Sequence, residues 1–289
     1  MVTNPEIPHQ PVNDVEKKRI IFITGASGGI GLALVYALAK PRTVLFLQAN
    51  NRFEELSTTV HALSDDSIHI ETFKANLATP EGQDCFVDEA LSRLDQFNPQ
   101  AIETIAWINA AGADLMSPQA KALSFDARLR MIFAIDVEAA IRMSRRVGMR
   151  ITELIKLNQI EDTTASPINA SIIFFGWDGT SRGMAGESGM LYAAAKGGIT
   201  AFSRSLAQEL APFTRVLTIS PGWIETTWGK SAPKAVKRHR DESLLDRWGA
   251  PEEVANLVDF LISEKASYIN AQNIEVNGGF RPYPRRNEP

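Results

Sequence analysis

The chain is 289 residues long and has a single cysteine, Cys85, so no internal disulfide can brace it. That scarcity fits a reducing compartment, and the cytoplasm is the expected location. No apolar stretch reaches the roughly 18 residues that cross a bilayer, so a membrane partner is not expected. The opening Met1-Val-Thr-Asn-Pro-Glu6 lacks the basic-then-apolar order of a secretory signal. Charge of either sign is not in excess: 30 basic residues against 34 acidic give a formal −4, which offers nothing to a nucleic-acid backbone. There is no internal repeat and no domain linker, and no metal is expected. Residues 1–17, with three prolines and few apolar groups, read as a mobile tail, and 281–289 reads likewise.

What is present is a hydrophobic fraction of 44%, enough for a full core. Short apolar runs alternate with helical periodicity along the chain. Strands are expected at Arg19–Thr24, Thr43–Gln48, Ile68–Lys74, Ile102–Ile108, Ser171–Phe175, Val216–Ser220 and Asn273–Val276. Alternation of this kind implies one α/β domain over 18–280, a doubly wound parallel sheet of Rossmann type flanked by helices. A ligand then belongs beyond the C-terminal strand ends, at the switch point. Residues 157–167 form a polar connection longer than most helix-to-strand loops.

The first strand runs into Gly25-Ala-Ser-Gly-Gly-Ile-Gly31 and then an apolar helix from Leu32 to Ala39. Strand, glycine turn and helix is the context of a dinucleotide site. Gly25 permits the turn, Gly29 and Gly31 let backbone approach a pyrophosphate, and the helix N-terminus offers N–H groups to phosphate. Tyr192 and Lys196, four apart on a helix, share a face. An ammonium beside a phenol favours the phenolate and draws its pKa down from about 10, which makes an acid/base for carbonyl chemistry.

Together these residues resemble the short-chain dehydrogenase/reductase family. Thr24-Gly-Ala-Ser-Gly-Gly-Ile-Gly31 matches its glycine motif, and Asn109-Ala-Ala-Gly112 its Asn-Asn-Ala-Gly segment, with Ala110 replacing one Asn. Tyr192 and Lys196 match its catalytic pair. Ser220-Pro-Gly-Trp-Ile-Glu-Thr226 matches the Pro-Gly turn and Thr near the nicotinamide, and 247–255 and 273–279 match the C-terminal part. The resemblance spans about residues 18–280 and implies an oxidoreductase that moves a hydride between a nicotinamide dinucleotide and a carbonyl or secondary alcohol. It implies cofactor contacts from Gly25, Ser27, Gly29, Ile30, Gly31, Arg52, Asn76, Leu77, Asn109, Ala110, Gly112, Tyr192, Lys196, Pro221, Gly222, Ile224 and Thr226. Tyr192 is the expected acid/base, with Lys196 tuning it and binding the ribose. Layout is also similar to β-ketoacyl-acyl carrier protein reductases, so a 3-oxoacyl thioester is one candidate substrate. By the same resemblance, helices around 123–150 and 191–211 pair between subunits in a homodimer or homotetramer.

The strand end Leu47-Gln-Ala-Asn-Asn-Arg52 has no carboxylate before Glu54. A neutral end with Arg52 tolerates a 2′-phosphate, so NADP(H) is preferred over NAD(H); equally, Arg52 can be a solvated helix-start residue. Asn76 stands where the family has an Asp at the adenine. Two catalytic helpers depart from the family. Gly176 takes the expected place of its Ser, with Trp177, Asp178, Thr180 and Ser181 following in a lengthened loop. Asp178 donates a hydrogen bond only if protonated, which needs a desolvated site. Asp136 occupies the Asn position. There it either holds Lys196 and offsets the field on Tyr192, raising the operating pH, or points elsewhere. After Gly222, a lid of about 223–246 carries Trp223, Ile224, Trp228, Lys230, Lys234, Lys237, Arg238 and Arg240. It attracts an anionic substrate, or it is a solvated helix neutralised by Asp241, Glu242 and Asp246. The missing Ser motivates an alternative, a weakly catalytic or non-catalytic dinucleotide-binding sensor or scaffold.

Overall fold

The computed structural model describes residues 16–161, 167–226 and 242–281. Seven strands form one sheet: β1 (Lys18–Thr24), β2 (Thr43–Ala49), β3 (Ile68–Lys74), β4 (Ile102–Asn109), β5 (Asn169–Phe175), β6 (Arg215–Pro221) and β7 (Asn273–Val276). Their order is β3-β2-β1-β4-β5-β6-β7, and every pairing is parallel. All seven expected strands are present, their ends shifted by a residue or two. A parallel sheet needs crossover connections, and helices supply them: α1 (Gly29–Leu38), α2 (Phe53–His61), α3 (Pro80–Leu94), α4 (Pro118–Lys121), α5 (Phe125–Ile132), α6 (Ala140–Glu161), α7 (Glu187–Leu210) and α8 (Pro251–Leu261).

Period-two alternation explains the two cores. On β1, Ile20 and Phe22 face a layer built from α3, α6 and α7, while Ile21 and Ile23 face α1, α2 and α8. In the first layer Phe22 stacks on Phe46 at 4.7 Å, and Trp107 packs on Phe86 at 5.5 Å. Central strands are buried on both faces, so they read as continuous apolar runs. Edge strand β3 is only partly covered and keeps Glu71 and Lys74.

Strand order reverses between β2 and β4 on either side of β1, which opens the crevice at the C-terminal strand ends. Between α5 and α6 the helix widens into a π segment, Phe133–Ala139, which carries Asp136. Such insertions break the ordinary helical register and gather at functional sites. A small third core, Ala113, Leu115, Ile132, Leu191 and Ala195, fastens α7 to the segment after β4. Buried Arg128 of α5 also pairs with Glu187 at the start of α7. These contacts fix the helix that bears Tyr192 and Lys196.

Candidate active site

The glycine turn is shaped by exclusion of side chains. Gly25 has φ +64, and a Cβ there would lie 2.5 Å from the Ala111 Cα. At Gly31 a Cβ would meet the Gly25 carbonyl at 2.1 Å, and at Gly29 it would meet Thr226 at 2.7 Å. A backbone cradle results, with α1 starting directly behind it. The first turn of α1 has no acidic residue and no side-chain cap, which leaves its N–H groups available to an anion. A cavity of about 250 Å³ opens here, and Gly25, Ser27, Arg52, Asn76, Leu77 and Gly112 are among its walls. The donor set and the cradle fit a dinucleotide's pyrophosphate and adenosine end.

Sequence reasoning overlooked Gln48. Buried on β2, it accepts a hydrogen bond from the Gly25 N–H at 2.8 Å and donates to the Ala75 carbonyl at 2.7 Å. It ties the glycine turn to β2 and the end of β3. The signal available was a polar residue inside an otherwise apolar strand. Arg52 lies at the cavity rim but is half exposed, and its guanidinium grips Glu55 at 2.5 and 2.7 Å. Asn76 accepts from Asn50 and from the Ala78 N–H. Asn109 turns inward: it accepts from the Trp107 indole N–H and donates to Ser144 and to the Ile173 carbonyl. Its side chain therefore knits β4, β5 and α6 together, and its neighbours Ala110 and Ala111 carry the backbone past Gly25.

A second cavity, of about 280 Å³, lies further along the crevice over Tyr192 and Lys196. Ile30, Pro221, Gly222, Ile224 and Thr226 wall one side of it, and Met116, Trp177, Met184 and Trp223 also line it. The segment 223–226 is held by a short parallel bridge between Ile224 and Gly249. Arg247 anchors that bridge through two 2.7 Å bonds to Glu253, whose carboxyl falls to about 2 on account of them.

At the centre of this cavity the electrostatics differ from the simple expectation for a Tyr and Lys one helical turn apart. Lys196 Nζ sits 2.7 Å from Asp136 Oδ1, in contact as an ion pair without hydrogen-bond alignment. The other carboxylate oxygen accepts the Ala113 N–H at 2.7 Å. Of the two readings left open for Asp136, the structure takes the first: it holds Lys196. The Tyr192 hydroxyl donates to the Ala113 carbonyl at 3.2 Å. Burial is the main cause that pushes the phenol well above its ordinary value; Asp136 and then Asp114 add to it, and a Leu115 backbone hydrogen bond opposes it. The expected fall toward neutrality is thus corrected to a rise, because burial disfavours the phenolate and the Asp136 carboxylate, paired with Lys196, adds to that effect.

The loop after β5 also needs correction. A Cβ on Gly176 would lie 2.5 Å from the Ser220 hydroxyl and 2.9 Å from Thr218, so a serine side chain does not fit at 176 without displacing them. The next residue faces the phenol: the Trp177 ring lies 6.3 Å from that of Tyr192. Thr180 donates its hydroxyl to the Trp177 carbonyl at 2.6 Å and does not reach the cavity. Asp178 accepts from Arg182 at 2.9 Å and from Asn277 at 3.2 Å. Both contacts make it an acceptor, paired with Arg182, and it does not line the cavity over Tyr192. Ser181 is exposed. Residues 227–241, which include Trp228 and the cationic lid residues Lys230, Lys234, Lys237, Arg238 and Arg240, and Asp241, lie outside the described residues, as do the two tails at 1–15 and 282–289.

Comparison with known proteins points one way. A family described as Enoyl-(Acyl carrier protein) reductase matches residues 25–281. The 3-oxoacyl-(acyl-carrier-protein) reductase of Rickettsia conorii is 32% identical over 89% of this chain and 95% of its own length. That of Aquifex aeolicus is 26% identical over 90% and 96%. A short-chain dehydrogenase/reductase from Brucella melitensis, named as a glucose/ribitol dehydrogenase, has a solved structure 27% identical to this chain. It superposes with a TM-score of 0.70, covering 92% of this chain and 97% of the other.

Proposed function

The chain belongs to the short-chain dehydrogenase/reductase family of NAD(P)-dependent oxidoreductases, and on that premise we propose that it reduces a ketone with NADPH, Tyr192 giving the proton. The observation that carries this reading is Tyr192 and Lys196, the latter paired with Asp136, in a cavity that Ile30 of α1 also lines next to the glycine cradle. When bound, the dinucleotide supplies the hydride. Residues Gly25, Gly29 and Gly31, with the start of α1, hold its phosphates. Ile30, Pro221, Ile224 and Thr226 wall the nicotinamide end, where they exclude water. Lys196, fixed by Asp136 and lining the same cavity, would bind the ribose. Tyr192 presents its hydroxyl to the substrate oxygen in place of the Ala113 carbonyl.

The elevated phenol bears on the pH dependence of the two rates, not on the equilibrium between them. Reduction needs the protonated hydroxyl, which persists across neutral and mildly alkaline pH. Oxidation needs the phenolate, which is scarce there. For cofactor choice, Arg52 is the cation nearest the adenosine cavity, and its partner Glu55 is exposed, so a 2′-phosphate competes with it readily. The carboxyl of Glu55 sits below its usual range through the Arg52 hydrogen bonds. Relatives named as 3-oxoacyl-(acyl-carrier-protein) reductases make 3-oxoacyl thioesters the substrate class to examine first. Exposed Phe125, Phe133 and Met149 on the long helical run favour a dimer or tetramer, which sedimentation would check.

The test is a fluorescence titration with NADPH and NADH, followed by absorbance loss on a panel of ketones and 3-oxoacyl thioesters. The expected result is tighter binding of NADPH, by about tenfold (~1.4 kcal/mol), and turnover on at least one carbonyl class. Tight dinucleotide binding without turnover on any of them would replace the enzyme by a dinucleotide-binding sensor.

A further inference from the structure

The substrate side of the cavity has a composition of its own. Apart from Tyr192 and Lys196, the side chains that face the reacting position are Met116, Trp177, Met184 and Trp223. Lys196 is already neutralised by Asp136. A further cavity of about 270 Å³ shares Trp177, Met184 and Trp223 with the first, so the space continues past the two indoles. Its cations are spoken for as well. Arg182 pairs with Asp178 and lies 3.8 Å over the Phe280 ring, and Arg247 pairs with Glu253. Among the described residues, each cation lining the two cavities, Lys196, Arg182 and Arg247, already has a carboxylate partner.

Both indoles are braced. Trp223 packs on Trp248 with ring centroids 5.5 Å apart. Trp177 lies flat on the Gly179 backbone, where a Cβ would come within 2.2 Å of the ring. Gly179 is therefore the shelf that sets the position of Trp177. A braced, uncharged wall of two tryptophans and two methionines favours flat apolar surface: rings gain stacking and sulfur contacts that a short alkyl chain does not.

We propose that the substrate carbonyl carries an uncharged aryl or alicyclic group lodged against Trp177 and Trp223, with Trp177 as the specificity-determining residue. This rests on the reading that Tyr192 protonates a reduced carbonyl. Trp177 stands on the β5 side of the phenol and brings a ring face there in place of a hydroxyl. The substituent is thereby held by contact and the oxygen by Tyr192.

The experiment separates the slot from the chemistry. Binding of two non-reducible amides, benzamide and pentanamide, to the NADPH complex of the full chain is measured by calorimetry. The wild type should favour benzamide roughly five- to tenfold, Trp177→Ala should erase the preference, and Trp177→Phe should keep part of it. If Trp177→Ala does not fold, Trp177→Leu keeps volume while removing the ring face. Equal affinities in the wild type, or a preference that survives loss of the ring, overturns the proposal. In turnover, benzoylacetyl thioester should exceed acetoacetyl thioester in kcat/KM, with the difference in KM and abolished in Trp177→Ala. Turnover without that preference refutes the slot alone. Retained benzamide preference with no carbonyl turned over supports the slot and refutes the reductase reading.

Discussion

Replacing Asp136 by Asn probes the site at its least ordinary point. The change is isosteric, and an Asn oxygen can still accept the Ala113 N–H that Asp136 accepts at 2.7 Å. What disappears is a buried negative charge beside Lys196 and near Tyr192. Asp136 contacts Lys196 and acts on the phenol across the cavity wall, for which a charge separation of about 6 Å is taken. At that separation and an effective dielectric of about 20, one charge is worth about 2.8 kcal/mol, or about two pK units. Asp136→Asn should lower the Tyr192 pKa by about that much, with burial still holding it up in part. The phenolate fraction at a given pH then rises about 100-fold, while the weaker base returns about half of that gain on a logarithmic scale. Alcohol oxidation at pH 8 should therefore quicken about tenfold, and ketone reduction should begin to fall at a lower pH in the variant than in the wild type. The assay is kcat/KM in both directions across pH 6–11. Breaking the pair also leaves Lys196 less compensated, so chemical denaturation should show a loss of about 2 kcal/mol, at the low end for a buried pair because Lys196 borders the cavity. Superimposable pH profiles for the two proteins would refute the reasoning.

Other consequences follow from the same contacts. Because the Tyr192 pKa is raised by folding, the native state retains a proton that the unfolded chain releases above about pH 10. Stability should thus fall as pH rises from about 10, and Tyr192→Phe should flatten that decline in denaturant melts; parallel curves would contradict it. Gly31→Ala places a methyl group 2.1 Å from the Gly25 carbonyl. It should cost more than about 2 kcal/mol and at least tenfold in dinucleotide affinity; an unaltered melt and titration would discount the cradle. Gln48→Ala leaves the Gly25 N–H without its acceptor. An orphaned buried donor costs about 1–3 kcal/mol, so NADPH should bind about tenfold more weakly, and unchanged affinity would remove Gln48 from the site.

Much of the fold was legible because its physics is local. Buried parallel strands must be apolar on both faces, so Ile20 through Ile23 and Val44 through Leu47 stand out by composition alone. Gly25, Gly29 and Gly31 were legible because only absent side chains allow that turn. Four features were not. The rise in the Tyr192 pKa comes first from burial and then from Asp136; the sequence offered Asp136 as a partner for Lys196 but not how deeply the packing of α7 buries the phenol. The direction of the residues leaving β5 depends on how the chain turns at the strand end, so Gly176 and Trp177 exchange the roles expected of them. Asp178 and Thr180 carry suitable chemistry, but a tight turn binds Thr180 to backbone and Arg182 claims Asp178. Gln48 escaped notice because one amide in an apolar run does not reveal which two groups it joins.

The central claim is that Tyr192 hands a proton to a carbonyl during NADPH-dependent reduction. The most direct measurement is single-turnover oxidation of NADPH by the enzyme saturated with a 3-oxoacyl thioester or ketone substrate, wild type beside Tyr192→Phe. The account predicts one NADPH consumed per carbonyl reduced, with the rate lowered about 10²–10⁴-fold in Tyr192→Phe and NADPH affinity within twofold of wild type. A Tyr192→Phe enzyme that oxidises NADPH at the wild-type rate would contradict it.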